Sequence, residues 1–179
     1  MTTDRTPGAG KIQLTRRRMV TGAATMLGGI AAASARHAFG QENAGEDKPV
    51  PLATALHQEV DLPGSAARIY AALLDAKQFA LFTGMPAEID AREGGACTLF
   101  SGMIQARNVE LAANQRIVQA WRPTHWDAGV WSIVEFQFKP GSARTTLVLD
   151  HKGFPAGEFD SLSSGWKSHY WEPLRKFLA

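Results

Sequence analysis

Beyond residue 40 the side chains with the clearest capacity for chemistry are four histidines: His57, His125, His151 and His169. No two of them stand at the i, i+2 or i, i+4 spacing of a ready metal site, and Cys97 is the single cysteine. One cysteine also excludes a disulfide framework and any multi-cysteine zinc or iron–sulfur site, so no metal and no cofactor is expected. His151 ends a predicted strand and His169 lies on a predicted helix; both are expected to be satisfied structural histidines, the alternative being convergence at a pocket mouth. There, with Tyr170 beside them, they are the weak candidates for positioning a proton transfer. Asp150 and Glu135 are strand carboxylates, expected to pair at the surface with an arginine such as Arg122 or Arg144. The sequence holds no nucleophile elbow, no phosphate-cradling glycine loop and no defensible Ser/His/Asp order, and Ser163-Ser164-Gly165 reads as a helix-start or kink signal.

The aromatic residues point elsewhere. Eleven of the sixteen, including all five tryptophans, fall at or after Trp121. Carried on facing strands and on a helix, Trp121, Trp131, Phe136, Phe154, Phe159, Trp166 and Tyr170 would line an apolar cavity. Rings there supply contact area and one or two polar groups orient the ligand. The expected partner is a small apolar or aromatic molecule.

The elements that must position these residues follow from periodicity. Leu56–Leu62 alternates apolar and polar, a half-buried strand ended by Pro63-Gly64. Ser65 caps a helix with Ile69, Leu73 and Leu74 on its apolar face and Tyr70 beside them, and a second short helix covers Ala76–Phe82. Strands are then predicted at Ala87–Ala91, Ala96–Phe100, Met103–Leu111, Arg116–Trp121, Val130–Phe138 and Thr145–His151. A long helix spans Glu158–Leu178, with a kink near His169 or Tyr170, because Pro173 removes a backbone donor and crowds the preceding turn. Short turns make the sheet antiparallel, and the amphipathic helix must bury its face against it. The expected class is α+β, a helix-grip (START-like) fold in which a curved antiparallel sheet wraps a long C-terminal helix, with two short helices after the first strand.

Charge divides the chain. Of 19 basic and 17 acidic residues, six basic and one acidic fall within residues 1–40, leaving 13 and 16 beyond and a net charge of −3 there. No basic stripe survives to track a phosphate backbone, so nucleic-acid binding is not expected. Residues 1–40 have a charged start, a weakly apolar stretch from Met19 to Ala35 and small-residue cleavage positions at Ala33-Ser34-Ala35 or Ala38-Phe39-Gly40. Thr15-Arg16-Arg17-Arg18-Met19-Val20 resembles the twin-arginine consensus, with Arg16 and Arg17 as its pair. The expected route is the twin-arginine export machinery and the expected location periplasmic, with cytoplasmic residence before export. The stretch is short and weak for a membrane anchor, so no stable membrane span is expected after processing. Residues 41–54 read as a flexible linker and 55–179 as the working domain.

The last third carries a family resemblance. Trp121-Arg122-Pro123, Trp126, Ser132-Ile133-Val134-Glu135-Phe136, the run Leu147–Pro155 and Gly165-Trp166-Lys167-Ser168-His169-Tyr170-Trp171-Glu172-Pro173-Leu174 are similar to the activator of heat-shock-protein-90 ATPase homologue-like family of the START-like (SRPBCC) superfamily. The resemblance runs from about Leu56 to Ala179 and implies the helix-grip fold. The superfamily hosts binders, cyclases and co-chaperones, so fold alone does not name the activity. The leading expectation is an exported protein that binds a small hydrophobic ligand between sheet and C-terminal helix. The alternatives are a cyclase- or hydratase-type enzyme and a co-chaperone-like interaction module. An export signal separates this copy from a cytoplasmic chaperone partner.

Overall fold

A computed structural model describes residues 53–179; the leader at 1–40 and most of the linker lie outside the described residues. Seven strands form one antiparallel sheet in the order β1-β7-β6-β5-β4-β3-β2. They are β1 (Ala55–Pro63), β2 (Glu88–Ile89), β3 (Ala96–Leu99), β4 (Ile104–Ala112), β5 (Arg116–Pro123), β6 (Ser132–Pro140) and β7 (Arg144–Lys152). The α+β class, the sheet wrapped on a C-terminal helix and the two short helices after β1 stand as expected from sequence. Among the described residues no helix is long and apolar enough to cross a membrane.

Alternation decides which face of each strand is covered. Ile117 and Trp121 of β5, Val134, Phe136 and Phe138 of β6, and Leu147 and Leu149 of β7 all turn inward and are buried. The strand predicted at Ala87–Ala91 keeps only Glu88 and Ile89. Its end is taken by a turn in which the Asp90 and Arg92 carbonyls accept from Arg92 and Gly95. A Cβ on Gly95 would lie 2.1 Å from the Asp90 carbonyl oxygen, so this turn closes only on glycine. A bulge between Asn108 and Glu110 bends β4 and leaves Val109 facing solvent.

Helix α1 (Ala66–Leu74) begins at the Ser65 cap, which accepts from the Arg68 N–H, and buries Ile69, Leu73 and Leu74. Helix α2 (Ala76–Thr83) follows after Asp75. The C-terminal helix is one run of three pieces: α3 (Phe159–Gly165), a π-helical segment (Trp166–Trp171) and α4 (Glu172–Leu178). Arg68 reaches from α1 to donate to the Phe177 and Leu178 carbonyls, tying down the negative end of α4.

The kink predicted from Pro173 takes the form of the π segment. Proline has no N–H for the His169 carbonyl, and the Glu172 N–H reaches back five residues to Lys167. The widened turn sets both Tyr170 and Trp171 beside Trp166, with ring centroids 4.4 and 5.6 Å away. All three rings are buried against the sheet.

Candidate functional site

The strand hairpin β3–β4, the β5–β6 loop and the C-terminal helix enclose an open-mouthed cleft of ≈ 390 Å³. Phe100, Trp121, Trp166 and Tyr170 provide its aromatic lining, and Met85, Met103, Ile104 and Leu162 fill in between. Ser161, Ser164, Gly165 and Ser168 give the helix side of the cleft small residues at helical spacing. The Ser164 and Ser168 hydroxyls donate back to the Ser161 and Ser164 carbonyls of their own helix. At the rim His125 faces Glu158 at 3.8 Å, and His169 is exposed beside them.

Two backbone features shape this space. Phe100 and Ser101 adopt φ of 52° and 56°, a left-handed pair that L side chains rarely take. The turn is held by the Gly102 N–H donating to Leu99 and the Ser101 N–H donating to Pro86, and it turns the Phe100 ring into the cleft against Tyr170 at 5.2 Å. Such strain persists only where the surroundings hold it, and it marks functional sites more than scaffolding. The second feature is Gly165. It is helical, lines the cleft, and a Cβ there would meet nothing within 4 Å. Glycine inside a helix costs about 1 kcal/mol against alanine, and no neighbour requires it.

The sequence candidates separate into three places. Trp121, Trp166 and Tyr170 line the cleft. Phe136 and Phe154 lie in the core behind it, Phe136 edge-on to Trp166 at 5.6 Å and Phe154 on His151 at 5.1 Å, and the half-buried Phe159 packs against that core beside Phe154. Trp131 is outside altogether: it is 42% exposed, with the Arg122 guanidinium 5.7 Å from its ring centroid. His151 is the satisfied structural histidine expected, fully buried in the core, while His169 stands at the rim, so the alternative convergence of the two does not occur. Arg122 pairs with neither predicted carboxylate and donates to the Trp126 carbonyl. Glu135 faces Arg116, and Asp150 faces His57 at 3.1 Å.

His151 belongs to a closed polar chain. Trp166 Nε1–H, which can only donate, gives its proton to His151 Nδ1 at 3.1 Å. The imidazole proton therefore sits on Nε2 and is donated to Ser132 Oγ at 2.7 Å, and Ser132 in turn donates to the Trp121 carbonyl at 2.8 Å. Burial lowers the His151 pKa to about 4, which keeps the ring neutral. A second chain, unseen in the sequence, runs from Gln119 Nε2 to Asn108 Oδ1 and from Asn108 Nδ2 to the Asp90 carbonyl. Tyr170 differs from both. Burial raises its pKa, the nearby Trp121 indole N–H partly offsets this, and the Cys97 thiol raises it further. Trp121 Nε1 and Trp126 Nε1 are buried without a hydrogen-bond partner among the described residues. No group of three or more His, Cys, Asp or Glu side chains converges there either.

Fold and cleft together define a helix-grip α+β protein with an aromatic-floored opening between sheet and C-terminal helix. The chain belongs to the family described as Activator of Hsp90 ATPase homolog 1-like protein, whose profile matches residues 63–179. It is 32% identical over 97 residues to the mouse (Mus musculus) activator of 90 kDa heat shock protein ATPase homolog 2, covering 54% of this chain and 29% of that protein. Over 107 residues it is 30% identical to the Dictyostelium discoideum homolog, covering 59% and 28%. The matched region thus spans under a third of the length of these relatives. Among solved structures, an HSP90 activator from Plasmodium falciparum superposes with a TM-score of 0.67 at 24% identity, over 70% of this chain and 96% of that one. CalU16 from Micromonospora echinospora gives 0.61 at 17% identity, over 70% and 76%.

Proposed function

We propose that the domain binds a small, mainly apolar ligand in the cleft between the β3–β4 hairpin and the C-terminal helix. The observation that carries this reading is Gly165, a helical glycine that no packing neighbour requires, bordering ≈ 390 Å³ of space lined by four aromatic rings. A protein with no use for the space gains stability by filling it. The buried, doubly hydrogen-bonded His151 is structural in this reading, and the cleft holds a ligand without transforming it. The test is titration with N-phenyl-1-naphthylamine, a neutral dye that brightens in apolar surroundings. Saturable one-to-one binding to the wild type, lost in a folded Gly165→Leu variant, is the expected result. Absence of binding, or equal binding by the variant, overturns it.

A second reading, partnership with a chaperone of the heat-shock-protein-90 class, draws on the similarity to activators of that chaperone's ATPase. It is tested by whether the domain changes such a chaperone's ATP turnover. We also infer from Arg16 and Arg17 that the leader directs twin-arginine export to the periplasm. Replacing both with lysine in a leader–reporter fusion should abolish export.

A further inference from the structure

We infer that the cleft takes its ligand as an amine, with an aromatic body laid on the ring floor and a protonated amino group held at the rim by the Glu158 carboxylate. This rests on the ligand-binding reading above and names the chemical class of the ligand.

Helical phase places Glu158 on the cleft wall. The Leu162 N–H donates to the Glu158 carbonyl at 2.9 Å, so Glu158 is already in register with α3. Residues three, four and seven positions apart share one face of a helix. Counted from Glu158 these are Ser161, Leu162 and Gly165, and all three line the cleft, as Glu158 does itself.

The carboxylate has no close partner there. An acidic side chain at a helix start ordinarily bonds to the free N–H groups, yet Glu158 makes no cap hydrogen bond. Among the described residues its one ionic neighbour is His125 Nε2 at 3.8 Å, beyond hydrogen-bond reach, on an imidazole that is 67% exposed. Glu158 is only 26% exposed, so it is partly withdrawn from water without compensation. An ammonium that closes to about 2.8 Å would supply what the imidazole does not.

The rest of the lining has the matching character. Among the described residues no lysine or arginine lines the cleft. Lys167 lines a separate groove with Gln58 and Glu59 of β1. Arg122 spends its guanidinium on the Trp126 and Asp127 carbonyls and on the Trp131 ring. Ser164 and Ser168 give their protons to their own helix, which leaves their oxygens as acceptors. The wall therefore suits a positively charged donor, and a carboxylate entering past Glu158 would meet like charge. Phe100, Trp166 and Tyr170 offer ring surface to the aromatic body.

Three probes of nearly one shape test this by calorimetry at neutral pH: 2-(1-naphthyl)ethylamine, a cation; 2-(1-naphthyl)ethanol, neutral; and 1-naphthaleneacetate, an anion. In low salt the wild type should bind the amine about 5-fold more tightly than the alcohol, the worth of one partly exposed ion pair. The acid should bind most weakly, and added salt should shrink the spread. Glu158→Gln should bring amine and alcohol together. Equal wild-type binding of amine and alcohol, or tightest binding of the acid, overturns the amine assignment while leaving the apolar cleft standing. A full preference retained in Glu158→Gln overturns the part given to Glu158. Failure of all three to bind overturns the ligand-binding reading beneath. The wild-type series decides between the charges even if the variant fails to fold.

Discussion

Two polar regions sit within one aromatic core, and they are built oppositely. Around His151 every donor meets an acceptor in a single direction, from Trp166 through His151 and Ser132 to the Trp121 carbonyl. Beside the cleft, the indole N–H groups of Trp121 and Trp126 meet none among the described residues. Both regions are buried and both are built around tryptophan, so composition does not distinguish them. Satisfaction does: the chain through His151 is closed, and the two indoles each keep an unmet donor.

Removing the ring that begins the closed chain should have the largest effect. Trp166→Ala deletes a buried side chain and leaves His151 Nδ1 unpaired. The expected loss is about 3–5 kcal/mol, read from urea unfolding.

Acid attacks the same chain. The His151 pKa falls from 6.5 in the unfolded chain to about 4 in the folded one, so the unfolded chain takes up the proton first. The contribution is intact above pH 6.5, declines as the pH falls and levels off below pH 4. The loss is on the order of 3 kcal/mol. Protonation at Nδ1 would also set two donors, His151 and Trp166, against each other. Unfolding midpoints across this range, compared with His151→Leu, should show the acid slope flattened in the variant.

The smallest effect tests the open region. Gly165→Ala should stabilise the domain by about 1 kcal/mol in thermal or urea unfolding, because the helix gains and nothing is crowded. A destabilisation there would mean that packing, and not the vacant space, requires the glycine.

Much of this was legible in the sequence, and the failures have physical causes. Alternation along β5, β6 and β7 located the strands and their buried faces. The same alternation, counted from Val134, Phe136 and Phe138, assigns Trp131 to the outer face; its aromatic character outweighed its parity. Pro173 announced a disturbance in the helix, but a π turn and a bend begin from the same missing donor. Asn108 stayed hidden because a polar residue at a bulged strand position reads as surface until its partners are known. Half of the cleft was invisible for a similar reason: Met85 and Met103 come from loops, and serines at 161, 164 and 168 look like an ordinary polar helix face.

The C-terminal helix carries a consequence for how the chain reaches its native state. Its three pieces have seven, six and seven residues, and Gly165 and Pro173 interrupt it. Helices of under about 12–15 residues barely persist alone in water, and each interruption lowers that persistence further. The sheet must therefore act as the template on which this helix forms. That template includes the pairing of β1 with β7 across the 80 residues between Pro63 and Arg144. Such distant closure is slow. Without Trp166, Tyr170 and Trp171 laid across it by the final helix, the inner face of the sheet is bare.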